Sequence, residues 1–450
     1  MKLKNCIKLA VITACCTPAF ALATNGYFAH GYGMKAKGMG GASTAMAVDA
    51  FGGATNPAKM VFVGDRIDFG ADLFSPRRSV SRQGEATGFP GISGLYNGSS
   101  DSDSNYFVIP EFGYNKLINP DLSLGITIYG NGGMNTDFNT PLAGAAGFGA
   151  IACPTGANIL LGCGKLGVDM MQLIVAPTAA FKLNESNALG ISPLLAYQRF
   201  KVDGLQAFQG ISSAPTAVTN LGYDSSTGYG LRVGWMGKVS DSVTLGAAYA
   251  SKMKMGKFDK YRGLFADAGL FDIPENFNAG IAVKAAPSVL VAFDIQRINY
   301  GKITSIANGV LNSLTNPGVT CTLGLPCGSG FAWQNQTVYK LGVEHEYDKQ
   351  WTWRAGFNFG SSPIGSTRND ISFNIIAPGV VEKHLTFGLT YKTSSGGELT
   401  FAYMHAFSNT VTGPSAITTL INAMGIPGSF GTESLKMYQN SFGIAYGWKM

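Results

Sequence analysis

The chain is poor in charged residues and, after its first segment, has no long apolar run. Aspartate, glutamate, lysine and arginine make up only 13% of its 450 residues. Beyond residue 23, no segment offers the roughly eighteen uninterrupted apolar residues that a membrane-spanning helix needs. A bundle of membrane helices is therefore excluded. Glycine (60 residues) and aromatic residues (11%) are plentiful, and this composition suits a β-barrel that faces lipid.

Motifs for common catalytic and metal sites are also missing. The chain contains no G-x-S-x-G and no H-E-x-x-H, and its four histidines lack metal-binding spacing. Gly31-Tyr32-Gly33 followed by Ala36 loosely resembles a dinucleotide fingerprint, but no strand precedes it and no βαβ unit follows. We therefore predict no enzymatic activity, no cofactor and no metal site.

The first 23 residues have the features of a secretory signal peptide. Three lysines precede an apolar run that ends at Cys16, and the small residues Ala21 and Ala23 mark a cleavage site. We expect cleavage after Ala23, while a lipoprotein processing site at Cys15 is the alternative. The remaining 30 basic and 27 acidic residues give a net charge of +3, which indicates no nucleic-acid partner.

Cysteine is scarce in the remaining chain and falls into two local pairs. Cys153 and Cys163 lie in one long loop, and Cys321 and Cys327 lie in another. In an oxidising compartment each pair is expected to form a disulfide that closes a small loop. A metal site is the alternative, but no histidine lies near either pair and the spacings differ from those of zinc motifs.

Fourteen stretches of the chain alternate apolar residues with polar or small ones. In the first, Ile67, Phe69 and Leu73 alternate with Asp68 and Asp72. Because successive strand side chains point to opposite faces, this pattern is typical of a wall between lipid and a wet lumen. We predict an all-β fold, a 14-stranded antiparallel transmembrane β-barrel. The strands are expected near 67–73, 105–117, 121–138, 167–182, 187–200, 227–239, 243–253, 276–285, 288–299, 335–347, 351–360, 381–392, 398–407 and 437–449.

The connections between these strands alternate strictly in length. Short turns such as Asn119-Pro120-Asp121 and Ala286-Pro287 alternate with long loops rich in Gly, Ser, Asn and Pro. In bacterial outer-membrane barrels the short turns face the periplasm and the long loops face outside. The sequence therefore predicts the bacterial outer membrane as the location, with extracellular long loops.

Residues 24–64 precede the first strand and do not alternate. This Gly- and Ala-rich segment also carries Tyr27, Phe28 and repeated methionines, which indicate packing against a surface. A fourteen-stranded barrel is too wide for its own side chains to fill its lumen, so the segment is predicted to plug the barrel. The predicted domains are a signal peptide over 1–23, a plug over 24–64 and the barrel over 65–450.

Several short motifs occur in an order that resembles one known family. Asn56-Pro57-Ala58 ends the segment before the first strand. The chain resembles the FadL-type outer-membrane transporters of long-chain fatty acids and other hydrophobic compounds, whose N-terminal hatch ends on the same motif. Further matches are Gly125-Ile126-Thr127-Ile128, Thr136-Asp137-Phe138, Tyr197-Gln198-Arg199, Pro274-Glu275, Trp351-Thr352-Trp353-Arg354 and Ser362-Pro363.

The resemblance implies a route for a hydrophobic molecule: capture outside, a pocket above the hatch, and lateral exit through the wall. Gly133 matches the glycine at which the family's third strand bends inward, Gly132 precedes it, and Pro110 on the second strand cannot donate a ladder hydrogen bond. We predict these three residues as a lateral gate. The predicted partners are fatty acids, alkanes or aromatics, outer-membrane lipid and the barrel-assembly machinery, with a monomeric barrel.

Seven residues are predicted to contact the ligand. Apolar loop residues usually mark a binding site, although mutual packing over the barrel mouth is the alternative. Arg199 matches the family's basic residue near the inner pocket, and Lys340 shares the lumen face with Glu344; pairing with lumen acids is the alternative for both.

A porin or structural barrel, or an outer-membrane lipid enzyme, remains an alternative function. The predicted ligand-binding residues are Tyr27, Phe28, Phe148, Leu160, Arg199, Phe208 and Lys340.

Overall fold

The computed structural model describes residues 25–87, 96–142, 153, 156–315, 321–423, 425 and 427–450. The predicted signal peptide with Cys15, and Phe148, therefore lie outside the described residues. Fourteen long strands pair antiparallel with their chain neighbours, and the last pairs with the first, so the barrel is closed. They are β1 Arg66–Gln83, β2 Phe107–Asn119, β3 Leu122–Phe138, β4 Leu166–Asn184, β5 Asn187–Asp203, β6 Asp224–Lys238, β7 Val243–Ala250, β8 Asn276–Ala286, β9 Val289–Ile298, β10 Gln336–Glu346, β11 Trp351–Gly360, β12 Lys383–Lys392, β13 Gly397–Pro414 and β14 Thr432–Lys449.

Shorter elements lie in the amino-terminal segment and in the long loops. Short strands are Ala86–Thr87, Gly98–Asp101, Lys254–Met255 and Gly428–Ser429. Helical segments are Met34–Gly38, Gly52–Ala54, Pro57–Phe62, Gln206–Ile211, Pro215–Ala217, Asp259–Tyr261, Ala266–Gly269, Tyr300–Lys302, Thr304–Ala307, Val310–Ser313, Ser372–Ile375 and Ile417–Ala423. Among the described residues, none of these helices is long and apolar enough to cross a membrane.

The alternation of side chains predicts the two faces of the wall correctly. Phe69 and Leu73 on β1 are 42% and 46% exposed on the outer face, whereas Asp68 and Asp72 are buried on the lumen side. The outer face is apolar because it meets hydrocarbon, and the inner face is polar because it meets the plug and water. The predicted 14-stranded antiparallel barrel is confirmed.

Three strands extend well past the predicted ends. β1 and β14 pair continuously from Arg66 with Lys449 to Gln83 with Thr432, and β13 continues to Pro414. The apolar alternation marks only the part of a strand that faces hydrocarbon. Backbone pairing does not need that pattern, so the ladder continues into polar sequence on the long-loop side.

The amino-terminal segment, residues 25–65, lies in the barrel lumen as the predicted plug, which we call the hatch. The backbone N–H groups of Ser43 and Thr44 donate to the Asp294 carboxylate at 2.8 and 2.9 Å, and the N–H of Gly40 donates to the Thr386 hydroxyl at 2.8 Å. Since the hatch lacks regular structure, lumen side chains satisfy backbone groups that a sheet or helix would otherwise satisfy.

Both predicted disulfides are present in the long loops. The Cα atoms of Cys153 and Cys163 lie 5.2 Å apart, and those of Cys321 and Cys327 lie 5.3 Å apart, within the usual range for a bridge. Each bridge closes a short loop above the barrel mouth. No group of histidine, cysteine and carboxylate side chains in the described ranges could hold a metal ion.

Candidate functional site

The long loops enclose an apolar cavity over the barrel mouth, which we call the outer cavity. Its empty volume, which includes space open to solvent, is about 480 Å³, and its lining carries no charged side chain. Phe208 packs edge to face on Phe373 with ring centroids 5.1 Å apart. The lining residues are Leu160, Phe200, Leu205, Phe208, Leu264, Phe265, Ser305, Leu323, Ser329, Gly330, Phe331, Phe373 and Ile376.

Local polar contacts shape the loop that carries Leu160. The Asn158 side-chain oxygen accepts hydrogen bonds from the backbone N–H groups of Leu160 at 2.9 Å and Gly162 at 3.2 Å. Its amide nitrogen donates to the Gly204 carbonyl at 2.9 Å, which joins this loop to the end of β5. With these backbone groups satisfied, Leu160 can be buried in the cavity wall.

A second cavity, the inner cavity, lies where the hatch begins. Its empty volume, which includes space open to solvent, is about 310 Å³, and the cavity contacts the hatch, three strands and two loops. Tyr27 is fully buried against Tyr300 and Trp333, and burial raises the pKa of its hydroxyl well above the usual value, so the group stays neutral. The lining residues are Tyr27, Phe74, Arg78, Gly133, Met134, Asn135, Thr136, Trp333, Ala377, Pro378, Gly379 and Met437.

The inner cavity borders an interruption in the wall between β2 and β3. The ladder between these strands runs from Asn119 opposite Leu122 to Phe112 opposite Ile128, where it ends. Residues 107–111 of β2 pair with β1 alone. Above this stretch the chain meets β3 again, since the N–H of Asp103 donates to the Asp137 carbonyl at 2.8 Å. The ladder gap thus spans five residues of β2, including Pro110.

On the other side of the ladder gap, β3 bends toward the lumen. The register with β4 shifts between Gly130 and Gly132, which is a β-bulge, and residues 131–136 are all buried instead of alternating. A strand that is buried on both faces has left the lipid-facing wall. The predicted bend at Gly132 and Gly133 is therefore present, next to Pro110.

The hatch takes the place of β2 as the partner of the bent strand. The N–H of Ala29 donates to the Asn131 carbonyl at 3.2 Å, and the N–H of Gly133 donates to the Tyr27 carbonyl at 3.3 Å. Glycine is required at 132 because a Cβ atom there would overlap the Tyr27 carbonyl oxygen. The hatch therefore satisfies a strand edge that would otherwise be unpaired inside the wall.

Below the two cavities, buried ion pairs join the hatch to the barrel wall. Lys37 of the hatch pairs with Asp72 at 2.9 Å and lies 3.8 Å from Glu111, and all three are buried. Arg66 pairs with Asp68 at 2.7 Å. Apolar ligands gain little from contact with such charged groups.

The predicted hatch motif has a clear structural role. Asn56 caps the short helix Pro57–Phe62 by accepting the N–H of Ala58 at 3.1 Å, and Pro57 occupies the first helical position. Its amide nitrogen also donates to the carbonyls of Thr44 and Trp235, each at 2.9 Å. The Asn56 side chain therefore caps the last helix of the hatch, joins that helix to Thr44 in the same segment, and attaches the hatch to Trp235 of β6.

The predicted ligand-binding residues do not all meet. Leu160 and Phe208 line the outer cavity and Tyr27 lines the inner one, while Phe28 and Lys340 line a polar cavity below them that also contains Asp294. Lys340 is buried on the lumen side, as its strand position predicts.

Arg199 differs from the expectation that it lies near an inner pocket. Its side chain is on the outer face of β5, stacks on Tyr223 with 4.6 Å from Cζ to the ring centroid, and lies 3.8 Å from the Asp169 carboxylate. The alternation of β5 predicts this outward orientation, because Arg199 lies two and four residues from the exposed Tyr197 and Leu195 and therefore shares their face of the strand.

Sequence reasoning missed Arg78, the charged residue of the inner cavity. The predicted first strand stopped at Leu73, which assigned Arg78 to a loop. In the structure β1 continues to Gln83, and Arg78 shares the lumen-facing parity of Asp68 and Asp72. If the alternation of β1 is continued five residues beyond Leu73, it predicts that Arg78 faces the lumen. Trp333 lies in a long loop without periodicity, so no such signal marked it.

A protein-family model matches residues 10–425 of this chain. Its description is "Outer membrane protein transport protein (OMPP1/FadL/TodX)". The chain belongs to this family. A search of the curated proteins finds no match. Membership agrees with the barrel, the hatch and the bent third strand, and it makes the protein an outer-membrane transport protein.

Solved structures of other proteins have the same fold at low sequence identity. The Pseudomonas putida toluene transporter TodX is 16% identical, with a TM-score of 0.67, over 94% of this chain and 99% of that one. A Pseudomonas aeruginosa FadL homologue is 15% identical, with a TM-score of 0.66 and the same coverage. The Ralstonia pickettii toluene transporter TbuX is 17% identical, with a TM-score of 0.61, again over 94% and 99%.

Proposed function

We propose that this protein carries long-chain fatty acids or similar hydrophobic molecules into the outer membrane without an energy source. The molecule is captured in the outer cavity, moves to the inner cavity at the hatch, and leaves sideways through the ladder gap between β2 and β3. Two of the structurally similar proteins are described as toluene transporters and one as a FadL homologue, which supports a hydrophobic substrate.

The observation that carries the proposal is the position of the inner cavity between an apolar mouth and an interrupted wall. Gly133, Met134 and the residues that follow line the cavity on the bent part of β3. A hydrophobic molecule there lies beside the ladder gap and above the ion-paired hatch. Lipid is the favourable destination because each buried CH₂ group is worth about 0.8 kcal/mol relative to water.

Exit through the ladder gap can be tested with a covalent crosslink across it. The last pair of the β2–β3 ladder on the long-loop side is Phe112 with Ile128. If the ladder continued in that direction, the next pair on the same face of the wall would be Pro110 with Gly130. A Pro110→Cys, Gly130→Cys variant joined by a short bis-maleimide should lose uptake of a radiolabelled fatty acid in cells. Barrel assembly and ligand binding by purified protein should persist.

A matched control places the crosslink where the ladder is already closed. Phe112→Cys with Ile128→Cys joins residues that face each other in the antiparallel ladder, where Cα atoms are about 4.5–5.5 Å apart. This variant should keep its uptake. If the upper crosslink also leaves uptake intact, the ligand does not use the wall, and displacement of the hatch at Asn56, Pro57 and Ala58 becomes the route to test.

A further inference from the structure

Basic side chains follow the long-loop border of the apolar outer face on β9, β12, β14 and β1. On three of these strands the basic residue lies two positions beyond an exposed apolar or aromatic residue of the same face: Arg297 beyond Ile295, Lys383 beyond Leu385 and Lys436 beyond Tyr438. On β1, Arg77 lies directly opposite Tyr438. We call these four residues the basic band: Arg77, Arg297, Lys383 and Lys436.

The spacing places the basic band at the level of lipid headgroups. Two residues of a strand rise about 6.6 Å, and the tilt of barrel strands reduces this rise to roughly 5 Å along the membrane normal. The headgroup layer adds about 5–8 Å to each side of the hydrocarbon core. Because Ile295, Leu385 and Tyr438 mark the edge of the apolar outer face, the charges two residues beyond them lie among headgroups.

No carboxylate of the chain compensates the basic band. Among the described residues, none of its four members lies within ion-pair distance of an acid. Asp101, on the short strand Gly98–Asp101, is exposed opposite Ser79, but no ion pair joins it to Arg77 or Lys436. The negative charge that would balance the band therefore has to come from outside the chain.

The opposite side of the barrel treats its outward charges differently. On β5, seven strands away from β12, Arg199 lies 3.8 Å from the Asp169 carboxylate. Lys201 on the same strand lies 3.5 Å from the carboxylate of Asp203. Outward basic residues at this height are thus accompanied by acids on one side of the barrel and not on the other.

The basic band is densest where β1 meets β14. Arg77 pairs with Tyr438 and Ser79 pairs with Lys436, so Arg77 and Lys436 are diagonal neighbours on the outer face. Diagonal neighbours are about 7–8 Å apart, a distance over which two long side chains can meet at one phosphate. Arg77 donates one N–H to the Tyr106 hydroxyl at 2.6 Å, and its guanidinium lies 4.9 Å from the centre of that ring. This contact orients the guanidinium and leaves other N–H groups to bind an anion.

We propose that the basic band docks the phosphorylated headgroup of a lipid in the outer leaflet, with Arg77 and Lys436 holding one phosphate between them. The phosphate supplies the negative charge that the chain lacks here, and the arginine fork matches its oxygens. The acyl chains lie against the exposed Leu73 and Phe442, which face each other on β1 and β14 below the band. This lipid stays on the outside of the wall and is distinct from the molecule carried through the lumen.

The test compares dioleoyl phosphatidic acid with dioleoyl phosphatidylcholine, which has the same chains but a choline that neutralises the phosphate. By native mass spectrometry at low salt, purified wild-type protein should bind phosphatidic acid more tightly. The double variant Arg77→Gln, Lys436→Gln should bind it about twenty- to thirtyfold more weakly, since each Lys or Arg near an anionic lipid surface contributes a factor of roughly five. Its affinity for phosphatidylcholine should not change.

The double variant Lys116→Gln, Lys349→Gln is the matched control, because it removes the same charge from exposed positions near the short turns. It should keep the wild-type affinity for phosphatidic acid. Equal losses in the two double variants would reduce the effect to net charge and overturn the docking site. Equal binding of both lipids by the wild type would also overturn it.

A second pair of substitutions keeps the proposal testable if the Arg77→Gln, Lys436→Gln barrel does not assemble. Lys383 and Arg297 are exposed and have no ion pair among the described residues. Lys383→Gln with Arg297→Gln should therefore weaken the binding of phosphatidic acid without disturbing the wall. Unchanged affinity in this variant would contradict a band that acts along the whole border.

Discussion

The two halves of the barrel lumen differ in the groups that line them. Toward the long loops, mainly aromatic and aliphatic side chains from β1, β3 and the loops surround two cavities, and Arg78 lines the inner one. Toward the short turns, the hatch is attached by buried ion pairs, such as Lys37 with Asp72 and Arg66 with Asp68, and by backbone hydrogen bonds to Asp294.

This difference assigns separate physical properties to the two halves: the apolar half tolerates varied shapes, and the ion-paired half holds one geometry. Apolar cavities accept many hydrophobic shapes because dispersion and burial are not directional. Buried ion pairs hold one geometry, because breaking a pair leaves a charge without compensation. Under the proposed function, a ligand enters the upper half, while the lower half stays shut and directs the ligand sideways to the ladder gap.

Breaking the lower half should have the largest effect. Lys37→Met leaves Asp72 and Glu111 buried without their cation, and loss of one partner of a buried pair typically costs 3–5 kcal/mol. We expect the hatch to loosen and ion conductance in planar bilayers to rise. Lys302→Met is the control, because this exposed lysine pairs with Glu275 on a long loop and should leave conductance unchanged. Equal conductance of the two variants would contradict a hatch held by ion pairs.

Disturbing the contact between the hatch and β3 should have an intermediate effect. Gly132→Val forces a side chain against the Tyr27 carbonyl, and overpacking of this kind costs about 1–3 kcal/mol. We expect faster hydrogen exchange at residues 25–29 and weaker dodecanoate binding in the inner cavity. Gly210→Val, where a Cβ meets no atom within 4 Å, should alter neither quantity. Unchanged exchange in Gly132→Val would mean that the hatch segment does not depend on this close approach.

Trimming the upper half should weaken capture without loosening the hatch. Phe208→Ala removes a ring from the outer cavity, and we expect roughly a tenfold loss of affinity for a neutral hydrocarbon, in line with the value of burying such a side chain. Phe387→Ala removes an aromatic ring that is 50% exposed on the outer face of β12 and should leave affinity unchanged. An equal loss in both variants would point to a general effect on the barrel rather than on the cavity.

The smallest expected effect concerns pH at an exposed ion pair of the loops. Hydrogen bonds from Lys302, Asn299 and Tyr249 hold the pKa of the Glu275 carboxyl below its usual range. A depressed pKa stabilises the loop above the ordinary value near 4.3. That contribution is lost as the pH falls through the lower folded value. Hydrogen exchange around Glu275 should therefore rise only in acid, and Glu275→Gln should remove this dependence.

The alternation of residues was sufficient to predict fourteen strands, their order and the faces of most side chains. It failed at the strand ends, where β1 continues ten residues beyond Leu73 to Gln83, because polar sequence outside the membrane carries no apolar period. That omission hid Arg78. The motif match predicts Arg199 near an inner pocket, but its position in the alternation of β5 places the side chain on the outer face, as the structure has it.

The sequence by itself determined the barrel, the plug and both disulfides, because strand periodicity, turn chemistry and cysteine spacing are local properties. Only the tertiary structure decided what lies together in the lumen. Tyr27, Arg78, Gly133 and Trp333 come from the hatch, two strands and a loop, and no local pattern joins them. The ladder gap is also a tertiary feature, since β3 leaves β2 where the hatch supplies the β3 backbone with a new partner.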